Sequence, residues 1–498
     1  MMGGPRLKVP EELLALKDAA AAEPEQAGNG TGRSPLWTAA AVLLGGLMLS
    51  WPALYNGFPL LYPDSMTYLD DGPTVARAVF LHQFSAYYGM RSFFYSLGIL
   101  PFHWNISPWP IVALQSLLVA WVLWLVVRTV ATRHTISRYL TVVLLLSMLT
   151  GVSWYSAFIM PDILGPLVYL SIYLLVFAPE TLSRAERFSL YPISVWGIAS
   201  HTTHFMLAAG LWLLLLLFAA IEDSHFLRRM RSLAEVAALL TLAAVAQLAL
   251  HGYLYGKPSL NGEHPPYLMA RILGDGTGRK YLEQHCPQVQ LAICKHLGQL
   301  TDDSDDFLWG PDGAFASASD EDQKLMLQQE MTFVLATVRA YPREQLAASA
   351  ANFWGQVKSF GIYGFDPNPW ILDNFATTLP KSRGSYIVSR QARGVLPLDL
   401  LTDIQLWTVL ASLAIIAVSI PMLWRRYPLR LAGLSLIVTA IVVANAFVSG
   451  VLSVVDDRYG CRVIWLIPLL AATFLLEWLT RWGSRKKIGT MNRQAKQA

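Results

Sequence analysis

The sequence predicts an all-α polytopic membrane protein with about ten transmembrane helices and an extracytoplasmic, mostly helical soluble domain. Two observations support this fold class. Of the 498 residues, 54% are hydrophobic and only 14% are charged, which is too apolar for a soluble protein of this length. Apolar runs long enough to cross a bilayer recur along the chain, with many Trp and Tyr residues at their ends. The net charge of +4 is small and gives no indication of nucleic-acid binding.

The predicted membrane spans follow from the lengths of these apolar runs. They cover residues 36–55, 109–130, 139–158, 162–178, 188–204, 205–221, 233–253, 404–424, 431–455 and 463–480. The stretch 188–221 is divided at His201-Thr202-Thr203-His204, because roughly 34 residues is too long for a single crossing.

The spans divide the chain into five regions. Residues 1–35 are rich in Ala, Gly and Pro and form a predicted cytosolic, mostly disordered tail without a cleavable signal peptide. Residues 36–253 form an N-terminal transmembrane module with a first periplasmic loop at 56–108. Residues 254–403 form a periplasmic soluble domain, residues 404–480 the C-terminal transmembrane helices, and residues 481–498 a basic cytosolic tail.

Two helices are predicted within the non-membrane segments. The apolar and aromatic stretch 92–104 is expected to be an amphipathic helix that lies on the membrane. The stretch 320–341 has acidic residues in its first turn and is followed by Pro342, which favours a helix that ends there.

The basic residues predict the sidedness of the spans. Short loops on one side carry arginines, and the short loops on the other side carry few, so the positive-inside rule places both termini in the cytoplasm. The arginines of these predicted cytosolic loops are Arg128, Arg133, Arg138, Arg184, Arg187, Arg228, Arg229, Arg231, Arg425, Arg426 and Arg430.

An acidic stretch, residues 62–71, directly follows the first predicted span. Its carboxylates are Asp64, Asp70 and Asp71. Pro63 favours a helix start that Asp64 or Ser65 caps, and Gly72-Pro73 is expected to end the helix. Asp64 and Asp71 are seven residues apart and would share one helix face. Asp64 is either a helix cap or a functional carboxylate, and the two further acids at the membrane edge favour function.

Other polar residues converge on the same predicted outer surface. They are Arg91, Asp162, His201, His204, Asp457, Arg458, Tyr459 and Arg462. For Asp162, capping of the helix behind Pro161 is the favoured interpretation, with a role at a site as the alternative. His201 and His204 share a helix face, and either could be a packing residue or a functional one. Arg458 is placed to bind phosphate at headgroup depth, and a local ion-pair cluster with Asp457 is the alternative.

The cysteines fit an oxidising outer compartment. Cys286 and Cys294 are eight apart and are expected to form a disulfide, with zinc binding beside His285 and His296 as the lesser alternative. Cys461 is expected to be a packed free thiol. The acidic run 302–306 is interpreted as a solvated turn rather than a calcium site.

A carboxylate at the outer membrane surface, a basic residue for phosphate and a soluble outside domain fit glycosyl transfer from a lipid-phosphate sugar. The carboxylate would accept a proton from the acceptor hydroxyl as that hydroxyl attacks the anomeric carbon. Arg, His or a metal ion would neutralise the leaving phosphate. The lipid tail would lie between helices.

The layout resembles the GT-C superfamily of polytopic glycosyltransferases, which use polyprenyl-phosphate sugars. The residues that carry the resemblance are Tyr62-Pro63-Asp64 in the first outer loop, Met160-Pro161-Asp162 at the start of an apolar helix, and Asp457-Arg458-Tyr459 before the last span. The sequence departs from the family's Asp-Glu motif, since Ser65 follows Asp64. The resemblance implies an acidic catalytic motif in the first loop and a GT-C-like helical bundle.

The sequence therefore predicts a transferase of the bacterial inner membrane that moves a sugar to an envelope glycan, lipid or protein acceptor on the periplasmic side. Asp64 is the expected general base, with Asp70 or Asp71 as alternates. Arg458, helped by Arg91 or Arg462, is expected to bind the donor phosphate.

The sequence also offers candidate metal ligands and two alternative functions. Asp64, His201 and His204 are candidate ligands of a divalent cation, Mg or Mn. A transporter or flippase of a lipid-linked glycan and a non-catalytic envelope assembly protein are the alternative functions. A transporter would need polar residues at mid-membrane and inverted repeats.

Overall fold

The computed structural model of the 498-residue chain describes residues 35–85, 88, 91–131, 134–221, 226–262, 264–286, 288–423 and 428–494. The predicted cytosolic tail lies outside the described residues, apart from Pro35. The chain divides into two units at Ala41, and the described part of the first unit is residues 35–41. The site and the packing described below belong to the second unit, Val42–Ala498.

In the described ranges, the regular secondary structure is helical. The α-helices are α1 Pro35–Leu49, α2 Trp51–Asn56, α3 Pro63–Leu81, α4 Phe93–His103, α5 Trp109–Val130, α6 Thr135–Leu149, α7 Val152–Ser156, α8 Leu164–Phe177, α9 Arg184–Ala199, α10 Thr202–Ile221, α11 Phe226–Tyr255, α12 Tyr267–Gly274, α13 Thr277–His285, α14 Ser304–Trp309, α15 Asp320–Ala340, α16 Pro342–Lys358, α17 Pro369–Thr378, α18 Arg383–Ile387, α19 Leu398–Leu423, α20 Leu429–Leu452, α21 Asp457–Ile464 and α22 Leu466–Gln494. Short 3₁₀ segments, including Pro161–Ile163 before α8, connect some of them.

The protein is a multi-pass membrane protein. In the described residues, seven helical segments are long and apolar enough to cross a bilayer, namely Pro35–Asn56, Trp109–Val130, Thr202–Ala220, Met230–Tyr255, Leu398–Pro421, Leu429–Leu452 and Asp457–Thr480. The three other predicted spans coincide with shorter helices, α6 with α7, α8, and α9. The count of ten crossings therefore stays a prediction.

Two helix boundaries in the membrane region bear on the sequence predictions. The stretch 188–221 consists of two helices that are separated at Ser200 and His201, so the predicted division of this stretch is confirmed. At the other end of the chain, α22 continues to Gln494, so most of the predicted basic tail extends the last helix.

Helix α8 lies at the centre of the bundle. All of its residues are buried, and helices α5, α9, α10, α11, α20 and α21 pack around it. A helix that is apolar on every side is stable only when neighbours cover every side, which explains the uniformly apolar sequence Leu164–Phe177. Asp162, in the 3₁₀ turn before α8, is thereby placed at the core of the bundle.

Helix α3 differs from the sequence prediction at its end. It continues through Gly72 and Pro73 to Leu81. A proline within a helix removes a hydrogen bond and costs about 3 kcal/mol. Tertiary packing against α4 compensates: at Gly72 an added Cβ would lie 2.8 Å from the Ser96 carbonyl oxygen, so the glycine allows a close approach of the two helices.

Helix α4 was predicted to be an amphipathic helix on the membrane surface, but it is packed among other helices. Phe93, Tyr95, Ser96, Ile99, Leu100 and His103 are buried. Helices α3, α5 and α9 pack against it, so apolar residues occupy most of its circumference.

The predicted soluble domain, residues 254–403, contains a helical core of its own. Met269, Leu282, Phe307 and Phe333 are among its buried residues. Helix α15 begins behind Ser319, whose hydroxyl accepts a hydrogen bond from the Asp322 N–H, as the acidic first turn predicts. Pro342 both ends this stretch and starts α16. We refer to residues 254–403 as the helical insert.

The helical insert contains a disulfide bond and is hydrogen-bonded to the transmembrane module. Cys286 and Cys294 form a disulfide bond within it, and Cys461, in α21, is a buried free thiol. The end of the insert returns to the transmembrane module, where the Gln391 side chain exchanges two hydrogen bonds with the Leu61 backbone at 2.6 and 3.0 Å.

Candidate functional site

The first component of the site is an ion pair at the start of α3. Asp64 lies in the first turn of α3, and its Oδ1 accepts a hydrogen bond of 2.7 Å from Arg91 Nη2. The Ser65 hydroxyl, not Asp64, receives the Tyr62 N–H at 2.9 Å. Asp64 is thus left free of a capping role. The Asp64 side chain keeps 17% of its surface exposed, so a substrate hydroxyl can reach it.

The two neighbouring carboxylates are placed differently. Asp70 is exposed, whereas Asp71 is buried with 5% of its surface accessible. Among the three acids of this stretch, Asp64 is the one that combines partial exposure with an arginine partner.

The helical insert reaches the same ion pair. Arg91 Nη1 donates a hydrogen bond of 3.1 Å to the Tyr267 hydroxyl. The Arg91 guanidinium also lies 5.4 Å from the centre of the Trp309 ring, within the range of a cation–π contact. A single arginine therefore contacts the first loop and two helices of the insert.

A second component is the buried charge cluster of Asp162, Arg458 and Arg462. Asp162 Oδ1 lies 3.9 Å from Arg458 Nε and 3.6 Å from Arg462 Nη1. All three residues are at least nine-tenths buried. The Asp456 carboxylate caps α21 by accepting the Arg458 N–H at 2.7 Å, and this cap directs the arginine-bearing helix towards α8.

Several atoms of this cluster have no hydrogen-bond partner in the described part of the chain. They are Asp162 Oδ1, Arg458 Nη1 and Arg462 Nη1. Arg462 is otherwise held by Asn445 Oδ1, at 2.8 Å from Nη2, and by the Ser449 hydroxyl at 3.3 Å. A buried polar group without a partner costs about 1–3 kcal/mol, so such atoms mark a place where a bound group or water completes the hydrogen bonding.

Aromatic rings connect the two components. The Arg458 guanidinium lies 4.6 Å from the Tyr62 ring centre and 5.0 Å from that of Tyr459. Tyr62 directly precedes α3, and the Asp64 carboxylate acts electrostatically on Arg458. Burial raises the pKa of Tyr62 to about 12, although Arg458 opposes that effect, so this hydroxyl stays protonated at neutral pH.

His201 and His204 form the third component. Their rings lie 5.2 Å apart. His204 Nδ1 is 3.0 Å from the Gly197 carbonyl oxygen, and its buried Nε2 has no partner among the residues described. Burial, followed by the charges of His204 and the three arginines of the site, holds the pKa of His201 well below its usual value. His201 is therefore neutral near pH 7.

The surroundings of the histidines bear on the predicted divalent cation. The positive charges of three arginines lower the pKa of His201, namely Arg91, Arg458 and Arg462. Asp64 is paired with Arg91. Within the described residues no group of three or more His, Cys, Asp or Glu side chains is arranged to hold a metal ion. The divalent cation therefore stays a prediction, and the charges that surround its predicted ligands are those of three arginines.

The remaining predicted residues have structural contacts. Asp457 Oδ1 accepts a hydrogen bond of 2.7 Å from the Gly361 N–H and so anchors the end of the helical insert to α21. The Tyr459 ring lies against both Arg458 and Arg462, at 5.0 and 5.1 Å. These two residues position the arginines.

Three aromatic residues of the site had no predicted role. Tyr68 lies four residues after Asp64 and is 2% exposed. Burial raises its pKa far above the usual value, and Asp64, Arg91 and Asp162 act on it. The helical spacing from Asp64 was a usable signal for Tyr68. Tyr267 and Trp309 carried no such signal, since only the fold of the insert brings them to Arg91.

An apolar cavity of about 410 Å³ lies between helices α12, α15 and α16 of the helical insert and the end of α20. Leu268, Ile272, Val334, Val338, Leu346, Val451 and Leu452 supply its apolar lining. Leu268 follows Tyr267, and Arg271 Nη1 donates a hydrogen bond to the Ser453 carbonyl, three residues before Asp456.

The assembled site can accept a proton and stabilise a leaving anion. Asp64 is the accessible carboxylate, and the Arg458 Nη1 group has no hydrogen-bond partner among the described residues. No protein family model, curated protein or solved structure matches this chain.

Proposed function

We propose that the protein is a GT-C type glycosyltransferase that moves a sugar from a polyprenyl-phosphate donor to an envelope glycan, lipid or protein. The observation that carries the proposal is a partly exposed, arginine-held Asp64 that acts electrostatically on Arg458, whose Nη1 has no hydrogen-bond partner in the described residues. The order of the Tyr62-Pro63-Asp64, Pro161-Asp162 and Arg458-Tyr459 motifs along the chain supports the family assignment.

In the proposed reaction, Asp64 is the general base. Its carboxylate accepts the proton of an acceptor hydroxyl while the hydroxyl oxygen forms a bond to the anomeric carbon of the donor sugar. The bond from that carbon to the phosphate oxygen breaks, and the bonding electrons leave with the polyprenyl phosphate. Asp64 then returns the proton to water. The Arg91 contact fixes the carboxylate in one orientation during this step.

Arg458 and Arg462 would stabilise the leaving phosphate. Arg458 offers a buried Nη1 donor without a hydrogen-bond partner in the described residues, and Arg462 Nη1 faces Asp162 Oδ1 as an ion pair at 3.6 Å without a hydrogen bond. Charge-assisted hydrogen bonds from preorganised donors lower the barrier most where water is excluded. Asp162 keeps the two like-charged guanidiniums close together, which makes it a positioning residue in this mechanism.

The apolar cavity supports a donor with a hydrocarbon chain. Its lining includes Val451 and Leu452 at the end of the predicted span α20, so a chain could enter from the bilayer. A volume of about 410 Å³ is within the range of small-molecule sites.

The proposed location is the bacterial inner membrane, with both termini cytoplasmic and the site on the periplasmic side. The basic short loops support this orientation. The charged residues of the site also lie at helix starts, Asp64 in α3, Asp162 before α8 and Arg458 in α21. That placement at helix ends favours an enzyme at the membrane surface over a transporter with a mid-membrane site.

The test is the variant Asp64→Asn in an assay of sugar transfer from a labelled polyprenyl-phosphate donor to native envelope acceptors. Loss of the base abolishes transfer while the protein remains correctly inserted. Asp70→Asn, which changes an exposed carboxylate on the same helix, is the matched control and keeps its activity. Wild-type transfer by Asp64→Asn would overturn the assignment of the base.

A further inference from the structure

Helix α14 of the helical insert contacts Arg91 of the site through Trp309. The start of α14 is fixed: the Asp303 carboxylate accepts the N–H groups of Asp305 and Asp306, and the Ser304 hydroxyl donates to the Ala270 carbonyl at 3.1 Å. The helix therefore presents its side chains from a defined position on α12, the helix that also carries Tyr267.

Trp309 is the last residue of α14, and its ring lies 5.4 Å from the Arg91 guanidinium. Almost half of the Trp309 surface, 48%, is nevertheless exposed. The Trp309 ring thus lies beside Arg91, the partner of Asp64, and keeps a large apolar area unburied. The exposed part of the ring is available to a ligand that reaches Asp64.

Asp305 is four residues before Trp309, so the two side chains share a face of α14. Burial and the Asp303 charge, followed by Asp456, raise the pKa of Asp305, and Arg458 opposes them. Asp305 is exposed and is not needed to cap the helix, since Asp303 has that role.

An open aromatic ring with a neighbouring carboxylate is the chemistry that recognises a sugar. The C–H groups on one face of a pyranose pack against the electron-rich ring, and the carboxylate accepts hydrogen bonds from its hydroxyls. We propose that Trp309 and Asp305 form a carbohydrate subsite that binds the sugar portion of the acceptor and delivers its hydroxyl to Asp64. This inference rests on the proposed function and specifies its acceptor as a glycan or a sugar-bearing lipid.

The subsite can be tested without any donor. The probes are soluble tetrasaccharides of glucose, of mannose and of N-acetylglucosamine, added to the full-length protein in lipid nanodiscs. Binding is measured by saturation-transfer NMR and calorimetry. We expect at least one probe to bind, with an affinity that falls about tenfold in Trp309→Ala because the stacking surface is lost. Trp309→Phe keeps most of the affinity, and Asp305→Asn weakens binding.

The matched control is Trp370→Ala, which removes a tryptophan of similar exposure, 45%, from the separate helix α17 and leaves binding unchanged. Absence of binding by every probe at millimolar concentration would overturn the inference, as would equal affinity in the wild type and Trp309→Ala. Because no donor is present, these results are independent of the Asp64→Asn assay, and either proposal can fail alone. A lipid-borne acceptor is distinguished by competition between the bound tetrasaccharide and nanodiscs that contain glycolipid.

Discussion

Arg91 Nη2 donates a hydrogen bond of 2.7 Å to Asp64 Oδ1 across 27 positions of the sequence. The same guanidinium holds the Tyr267 hydroxyl through Nη1 and lies against the Trp309 ring. Arg91 thus fixes the proposed general base and at the same time fixes the helical insert over it. This double contact has measurable consequences.

Arg91→Gln is expected to reduce transfer by roughly 10–100-fold, because one or two charge-assisted hydrogen bonds to the base and to the insert are lost. Arg91→Lys should retain part of the activity, since an ammonium keeps the charge but lacks the planar fork that reaches two partners. Steady-state rates of sugar transfer measure both effects. Arg77→Gln alters an exposed arginine of α3 and serves as the control. Undiminished transfer by Arg91→Gln would show that the ion pair is dispensable.

Asp162→Asn is expected to destabilise the protein by about 3 kcal/mol or more, because two buried guanidiniums then lack their shared counter-charge. The thermal unfolding midpoint in detergent measures this loss. The double variant Asp162→Asn with Arg462→Met should recover part of it, since one uncompensated charge is removed. Asp70→Asn, at an exposed carboxylate, should change the free energy of unfolding by no more than about 0.5 kcal/mol. Equal midpoints for wild type and Asp162→Asn would contradict a paired role for this acid.

His201 predicts a pH dependence of stability. Its pKa in the folded protein is well below the ordinary 6.5, chiefly through burial and also through His204, Arg462, Arg458 and Arg91. Below about pH 6.5 the unfolded chain therefore binds one more proton than the folded one, and this residue lowers the stability by up to about 1.4 kcal/mol per pH unit as the pH falls.

The comparison of wild type with His201→Gln isolates that contribution. Unfolding midpoints are measured at pH 7.5 and pH 5.0, and the variant is expected to lose less stability between the two than the wild type does. If the two proteins lose stability equally, His201 does not titrate as its surroundings predict.

Gly165 and Gly210 form a matched pair of helix glycines. A Cβ at Gly165 would lie 2.8 Å from His204 Nε2, whereas a Cβ at Gly210 meets no atom within 4 Å. Gly165→Ala should therefore displace His204 and cost about 1–3 kcal/mol, with loss of transfer. Gly210→Ala should stabilise α10 by about 0.5–1 kcal/mol. Thermal midpoints and transfer rates check both variants, and a neutral Gly165→Ala would show that the His204 position is not required.

Helices could be predicted from sequence where hydropathy, length and capping residues favour the same boundaries as the packing of the folded chain. The apolar spans, the division of residues 188–221 and the Ser319-capped helix α15 follow from hydropathy, length and capping residues. The helix at 62–81 could be predicted only at its start. Its end was wrong because packing of Gly72 on α4 outweighs the local effect of Pro73.

The site follows the same division. The amino-acid pattern alone predicts an apolar chain with several membrane spans and a small set of charged residues near the span ends. Charged residues are energetically costly near a bilayer, so the few that are present are candidate site residues. Which of those charges come into contact depends on the tertiary structure. Asp64 is paired with Arg91, whereas Asp70 is exposed. Asp162 lies between Arg458 and Arg462, and the helical insert adds Tyr267 and Trp309. Those contacts join residues far apart in the chain, and only the packing of whole helices, which no local pattern encodes, sets their distances.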